Sequence, residues 1–249
     1  MHSLLGIRKN CLDRAIETRI PPLSLWASAS IGRGARSTKR FFNTDRNDEL
    51  YKLGLALHRH KRPATPLGLR AGAAAMGVLG VPHAPDGQLT ALVEIDRNHC
   101  STCFADGVQV VTGCTFGKGN IRSLGYGKFA MTLIDNKTGR SVRVVATPEA
   151  MRRSQESEFI KFRKNGVPAS QVDEKLVEPL IDQVLGEKAE VLFKVEPIQE
   201  LKLPPMAPHA FDTIICAECG EVTVERYARV KHGKIVCQPC AEKSLDTEA

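Results

Sequence analysis

A chain of 249 residues with 42% hydrophobic residues has room for one large domain, or for one domain and a small appended module. It contains no run of about 20 apolar residues, which excludes a bilayer-spanning helix, and its first residues lack the apolar core and cleavage site of a secretory signal, so a cytoplasmic protein is expected. The net charge of +7 invites a nucleic-acid reading, but residues 1–46 hold nine Lys and Arg against three acids, leaving the remainder close to neutral.

Residues 1–46 show no sustained period and contain Pro21-Pro22 and the basic stretch Arg33–Arg40. They read as a flexible basic tail. A transit peptide fits less well because Asp13 and Glu17 are unwelcome there, and a later translation start is a further alternative. Organised sequence begins at Asn47–Leu57, where Asp48 can cap a helix whose Leu50, Leu53 and Leu57 share helical spacing. After a polar stretch from His58 to Pro66, the Ala- and Gly-rich run Leu67–Leu79 predicts a closely packed helix. Leu89–Ile95 alternates as a strand, and Thr102–Val111 fits a short helix entered from a Cys-rich turn. Gly113–Asn120 is too glycine-dense for an element interior and should be a loop. Lys128–Ile134 and Ser141–Ala146 are β-rich and joined by a turn sequence, which predicts a hairpin. Two helices are expected roughly over Pro148–Lys164 and Ala169–Leu185, then a strand near Val191–Val195. Pro204, Pro205 and Pro208 mark a linker. The expected fold class is α+β: a mixed core domain with a central sheet and helices over 47–203, and a linker with a small four-cysteine zinc ribbon over 204–249.

Seven of the eight cysteines fall in two tight groups, with Cys11 alone. In a reducing compartment such clustering favours metal or thiol chemistry over cross-linking. Cys216-Ala-Glu-Cys219 and Cys237-Gln-Pro-Cys240 are two C-x2-C pairs, with Gly220 after the first to turn the chain back beneath a metal. Val222–Val230 alternates as a strand, and His232-Gly233-Lys234 supplies a turn. Two knuckles of this kind give four thiolates in tetrahedral array around a structural zinc with no open coordination position. The alternatives are two disulfides or free thiols. With Glu218, Glu221 and Glu225 nearby, protein contact or simple capping suits the ribbon better than nucleic-acid binding.

A second constellation runs through the middle of the chain. It comprises His58-Arg-His60-Lys-Arg62-Pro63, His99-Cys100-Ser-Thr-Cys103, Asp106 and the loop Gly113–Asn120. Imidazole and thiolate suit borderline and soft metals, so His58, His60, Cys103 and Cys114 are candidates for a second metal site. Cys103 or Cys114 as thiolate, with Lys118 as electrostatic partner, are the catalytic candidates. The glycine loop matches neither the P-loop nor the dinucleotide spacing. The plainer alternative is a tight turn with a solvated Lys118 and inert buried cysteines.

Four blocks carry a resemblance: Pro66-Leu-Gly-Leu-Arg-Ala-Gly72, Cys103-Phe-Ala-Asp-Gly-Val-Gln109, Thr112-Gly-Cys-Thr-Phe-Gly-Lys-Gly-Asn120 and Lys137-Thr-Gly-Arg-Ser-Val-Arg-Val144. From about residue 48 to 242 the chain resembles the family named after the E component of formylmethanofuran dehydrogenase, which includes bacterial members outside that enzyme. The resemblance implies an α+β core, often dimeric, with a pocket built from a His-Gly-His-x-Cys-Pro segment and later Cys and Lys. His58, His60, Cys103, Cys114 and Lys118 match that pattern, whereas Arg59 stands in place of the glycine and Arg62 in place of the cysteine. Either the pocket has lost a ligand, or His99 and Cys100 compensate, or Arg62 has made it an anion site. The resemblance thus points to a zinc-binding accessory protein, a homodimer or partner in a complex, whose redox chemistry would reside in other subunits. The alternatives are a thiol- or metal-dependent enzyme using the central pocket, and a zinc ribbon that contacts nucleic acid or a polymerase.

Overall fold

The computed structural model of the protein describes residue 46 and residues 48–96, 101–204 and 209–243. The expected tail up to residue 45, together with His99, Cys100, Pro205 and Pro208, lies outside them. Residue contacts divide the chain into two units between Leu203 and Pro204.

In the first unit, Asp48 caps helix α1 (Glu49–His58), its carboxylate accepting from the Leu50 amide at 2.8 Å. Of the three leucines at helical spacing, Leu50 packs against the core, but Leu53 and Leu57 are each more than half exposed, while Tyr51 and Gly54 are buried. At Gly54 a methyl group would sit 3.2 Å from Thr65 Cγ2, so α1 approaches α2 through its glycine rather than through Leu53 and Leu57. Helix α2 (Ala64–Leu79) is buried on all sides from Ala64 to Gly77. Such a helix belongs in the centre of a core, as its all-round apolar sequence dictates.

Across α2 lies helix α3 (Phe104–Thr112), and the two backbones nearly touch. A Cβ added at Gly68 would lie 1.9 Å from the Phe104 carbonyl oxygen; one added at Gly107 would lie 2.1 Å from the Thr65 oxygen and 2.6 Å from the Leu69 nitrogen. Glycine at both positions is therefore a packing requirement.

The sheet comprises β1 (Leu89–Val93), β2 (Ile121–Ser123), β3 (Ala130–Asp135), β4 (Arg140–Ala146), β5 (Phe193–Val195) and β6 (Gln199–Glu200). Its order is β2-β1-β3-β4-β5, with β6 also on β4; β1 and β2 run parallel and the other pairs antiparallel. The expected β3–β4 hairpin is present, its turn held by Asp135, which accepts from the Lys137 amide and the Thr138 hydroxyl. Strand β1 is buried along its whole length, so it lacks the wet face that its alternation suggested. Just beyond it, the carboxylate of Glu94, 1% exposed, takes a bidentate pair of bonds from Arg143 of β4 at 2.5 and 2.9 Å. Arg143 also reaches Glu196 at 2.8 Å.

The helix expected over Pro148–Lys164 is two, α4 (Pro148–Glu156) and α5 (Glu158–Lys164). Ser157 breaks it by taking an extended conformation, capping α5 with its hydroxyl and donating that hydroxyl to the Ser154 carbonyl. Likewise, Ala169–Gln171 is a 3-10 turn, and Asp173 caps a separate helix α6 (Glu174–Gly186) through the Lys175 amide. The strand expected near Val191 starts only at Phe193, because Ala189–Leu192 forms a short helix, α7. Arg70, on the buried face of α2, closes the C-terminus of α6 by donating to the carbonyls of Val184, Leu185 and Glu187.

The second unit contains two hairpins, β7 (Thr213–Ile215) with β8 (Val222–Val224) and β9 (Arg229–Lys231) with β10 (Lys234–Val236), followed by helix α8 (Gln238–Glu242). The single strand expected over Val222–Val230 is interrupted by a 3-10 turn at Glu225–Tyr227. His232 and Gly233 both have positive φ, the conformation that a two-residue hairpin turn demands.

Two substitutions test this packing by urea unfolding. Gly68→Ala should cost about 1–3 kcal/mol or more through overpacking, whereas Gly186→Ala, where the added methyl meets nothing, should be close to neutral. Arg143→Met leaves a buried carboxylate without its main partner and should cost about 3–5 kcal/mol, largely recovered when Glu94→Leu is added.

Candidate metal centre and core pocket

The second unit converges on its cysteines. Cys216 follows β7, its carbonyl accepting from the Gly220 amide at 3.0 Å, and the left-handed Gly220 (φ 74°) folds the first knuckle. The Ala217 amide donates to the Ile235 carbonyl at 3.0 Å, which draws the second hairpin against the first. Cys237 immediately precedes α8 and donates its amide to the Cys216 sulfur at 3.3 Å. The ligand atoms of Cys216, Cys219, Cys237 and Cys240 all lie within 4.8 Å of one another, and the Cys219 and Cys237 sulfurs are 3.8 Å apart. Metal–sulfur bonds of about 2.3 Å in a tetrahedron require sulfur separations of about 3.8 Å, so the donor set and its spacing fit a tetrahedral metal ion.

Electrostatics and packing agree with that fit. Backbone amides of Cys219 and Cys237 stabilise the Cys216 thiolate and bring its pKa down to about 6. Its neighbours resist further charge: the hydrogen bond with Cys237, then burial and the other sulfurs, push Cys240 up to about 12. Four thiolates together need a cation to neutralise them. Among the described residues, the buried side chains of this unit are Val236 and three of the cysteines, with Ala241 packed against them. That is too little apolar surface to fold such a segment unaided.

In the first unit the predicted residues separate into two groups. At one end of α3, His58 closes α1 and its Nδ1 lies 2.9 Å from Asp106 Oδ2. The His58 and His60 rings are 4.3 Å apart between centroids. Between them, Arg59 takes the left-handed conformation (φ 71°) and its amide closes the helix on the Leu55 carbonyl at 2.7 Å. This is the position at which glycine is least strained, so an arginine there carries a backbone cost of about 1 kcal/mol. Burial lowers the pKa of His60, and the charges of Arg62 and His58 lower it further. Cys103, the residue before α3, is buried; desolvation raises its thiol pKa against the opposing pull of Thr65 and Arg62.

At the other end of α3 the picture differs. Gly113 terminates the helix, and the fully buried Cys114 thiol is pushed up to about 11 by desolvation. The Lys118 ammonium donates to the carbonyls of Gly113 at 2.9 Å and Ala84 at 3.2 Å. Asn120, buried, accepts from the Thr115 amide at 2.8 Å and donates to the carbonyls of Leu89 at 3.0 Å and Asp86 at 3.2 Å. The glycine block is thus a loop whose polar side chains answer backbone groups, and its lysine, although exposed as the plainer reading expected, also donates to two carbonyls near the end of α3. A nine-residue helix separates Cys103 from Cys114 by about 14 Å, so Cys114 and Lys118 do not join His58, His60 and Cys103. Among the described residues, the four C-terminal cysteines are the group whose ligand atoms converge for a metal.

Sequence reasoning did not single out Thr65 or Arg163, both of which border the His60 end. Thr65 sits in the first turn of α2 and carried no motif; Arg163 lies a hundred residues downstream, beyond the reach of any local pattern.

A family model described as "FmdE, Molybdenum formylmethanofuran dehydrogenase operon" matches residues 57–194. A curated protein from Archaeoglobus fulgidus, "Probable S-adenosyl-L-methionine-binding protein", is 33% identical over 199 residues, covering 74% of this chain and 50% of the relative. The chain therefore spans about half the length of that relative. The crystal structure of a tungsten formylmethanofuran dehydrogenase FmdE-like protein from Syntrophus aciditrophicus is similar at 24% identity and a TM-score of 0.48, over 86% of this chain and 99% of that one. Because the family model covers more than half of the sequence, from the end of α1 to the start of β5, the chain belongs to the FmdE family.

Proposed function

We propose that this FmdE-family chain is a zinc-binding accessory protein, in which Cys216, Cys219, Cys237 and Cys240 hold a structural zinc. The observation that carries this reading is the convergence of four sulfurs within 4.8 Å of one another in a unit with almost no other core among its described residues. Four sulfur ligands fill the coordination sphere, so the ion would stabilise the fold and bind no substrate. A non-catalytic role for the core thiols follows from their chemistry. Cys103 and Cys114 are buried and held protonated, and Lys118 is engaged with two carbonyls. The exposed Leu53 and Leu57 on α1 support an accompanying role as a homodimer or a partner in a complex.

Elemental analysis of the full chain should find one zinc per chain and no iron, and Cys219→Ser with Cys237→Ser should abolish it. Chelation should make residues 209–243 sensitive to protease while the core stays resistant. A metal-free chain with a protease-resistant C-terminal unit would sink the assignment.

Mass-resolved thiol labelling tests the inert core. At neutral pH Cys103 and Cys114 should label only after unfolding; rapid labelling of Cys114 in the folded chain would restore the catalytic reading. The folded state holds the Cys114 proton up to about 11 against an ordinary value of 9.0. The linked stability is therefore full below pH 9.0 and lost as pH rises through about 11, and Cys114→Ala should flatten that part of the profile.

A further inference from the structure

Strand β9 turns one lysine toward the cysteine unit instead of into water. Its residues alternate across the hairpin: Val230 is 77% exposed, whereas Lys231 lies on the face of Val236, which is fully buried among the cysteines. The Lys231 side chain is accordingly only 20% exposed. An ammonium carries three donors and no acceptor, and three oxygens surround this one. They are the Cys240 carbonyl at 2.9 Å, the Lys243 carbonyl at 3.3 Å and the Glu218 carboxylate at 3.3 Å. Those oxygens come from both halves of the cysteine set. Glu218 stands between Cys216 and Cys219 in the first knuckle; Cys240 belongs to the second, and Lys243 is where α8, the helix that follows Cys237, ends. Other cations of the hairpin behave differently: Arg229 bonds to the adjacent Ala228 carbonyl, and Lys234 is exposed.

A largely buried ammonium gives up strong hydration, which its oxygen partners must offset. In a unit whose buried side chains are so few, a polar tie of this kind takes over part of what a core would do. Charge adds a second effect. Four thiolates around one divalent ion leave a net dianion, and a fixed cation bonded to one of the ligand residues favours the ionised sulfurs. We propose that Lys231 is the positioning residue of the four-cysteine site: its ammonium fixes the two ligand pairs relative to one another and supplies positive charge to the thiolates. That role rests on the zinc reading of the site, and adds to it a residue that lies outside both C-x2-C pairs.

Zinc affinity of the full chain is measured by competition with a chromophoric chelator, and the site is separately filled with Co2+, whose ligand-field bands report coordination geometry. Lys231→Met should weaken zinc binding by about 10–100-fold, the loss typical when an outer partner of a metal ligand is removed. It should also shift the cobalt bands of the saturated protein. Lys231→Arg keeps the charge and the donors, and should return both readouts toward those of the unaltered chain. Lys234→Met removes the same charge from the same hairpin and should change neither. If Lys231→Met holds no metal at all, Lys231→Gln, which retains an N–H donor, supplies the comparison and should bind more weakly than Lys231→Arg. Unchanged affinity in Lys231→Met overturns the proposal, as does an equal loss in Lys234→Met. Weaker binding with unaltered cobalt bands overturns it too, since the lysine would then only stabilise the fold. An unaltered chain that binds neither ion removes the zinc reading as well, whereas ordinary binding there beside an indifferent Lys231→Met variant removes the positioning role alone.

Discussion

Two helices of this protein meet backbone to backbone, and most of what surrounds them is arranged around that contact. Where Gly68 of α2 faces Phe104, and Gly107 of α3 faces Thr65 and Leu69, even a methyl group would overlap main-chain atoms. The approach places α2 in the middle of the core, which explains why a helix of alanine, glycine and leucine has no polar face. It also sets where the two ends of α3 lie. One end sits beside the start of α2 with Thr65, Arg62 and the two histidines. The other end carries Cys114 and the glycine block toward β1, where Asn120 ties the loop to Leu89.

That geometry explains why the Cys/His region of the sequence does not form a single site. Cys103 and Cys114 are eleven positions apart and read naturally as members of one pocket, but the helix between them directs them to opposite ends. The glycine block looks like a ligand cradle because it combines Thr, Lys and Asn with three glycines. Each of those polar side chains is bonded to nearby main chain, which stabilises an irregular loop that could not otherwise satisfy its backbone.

The class of fold, the hairpin at Asp135, the cap at Asp48 and the four-cysteine unit were legible because each depends on local chemistry: turn residues, a capping carboxylate, ligand spacing. The breaks at Ser157 and Asp173 were also locally encoded, but a capping residue inside an apolar period is easily read as part of a continuous helix. What could not be read locally is which face of α1 is buried, since Gly54 and Tyr51 decide it through α2 and not through the leucine period. Short strands such as β2 and β6 are added by pairing with β1 and β4, and three or two residues carry no period.

Two arginines of the core, Arg143 and Arg70, are matched to different kinds of acceptor. Arg143 is matched to the carboxylates of Glu94 and Glu196, and so ties the end of β1 to β4. Arg70 is matched to three main-chain carbonyls at the end of α6, acceptors that no side-chain substitution removes. Removing the two carboxylates would therefore release the tie that spans β3 between β1 and β4, and would leave the α2–α6 junction in place.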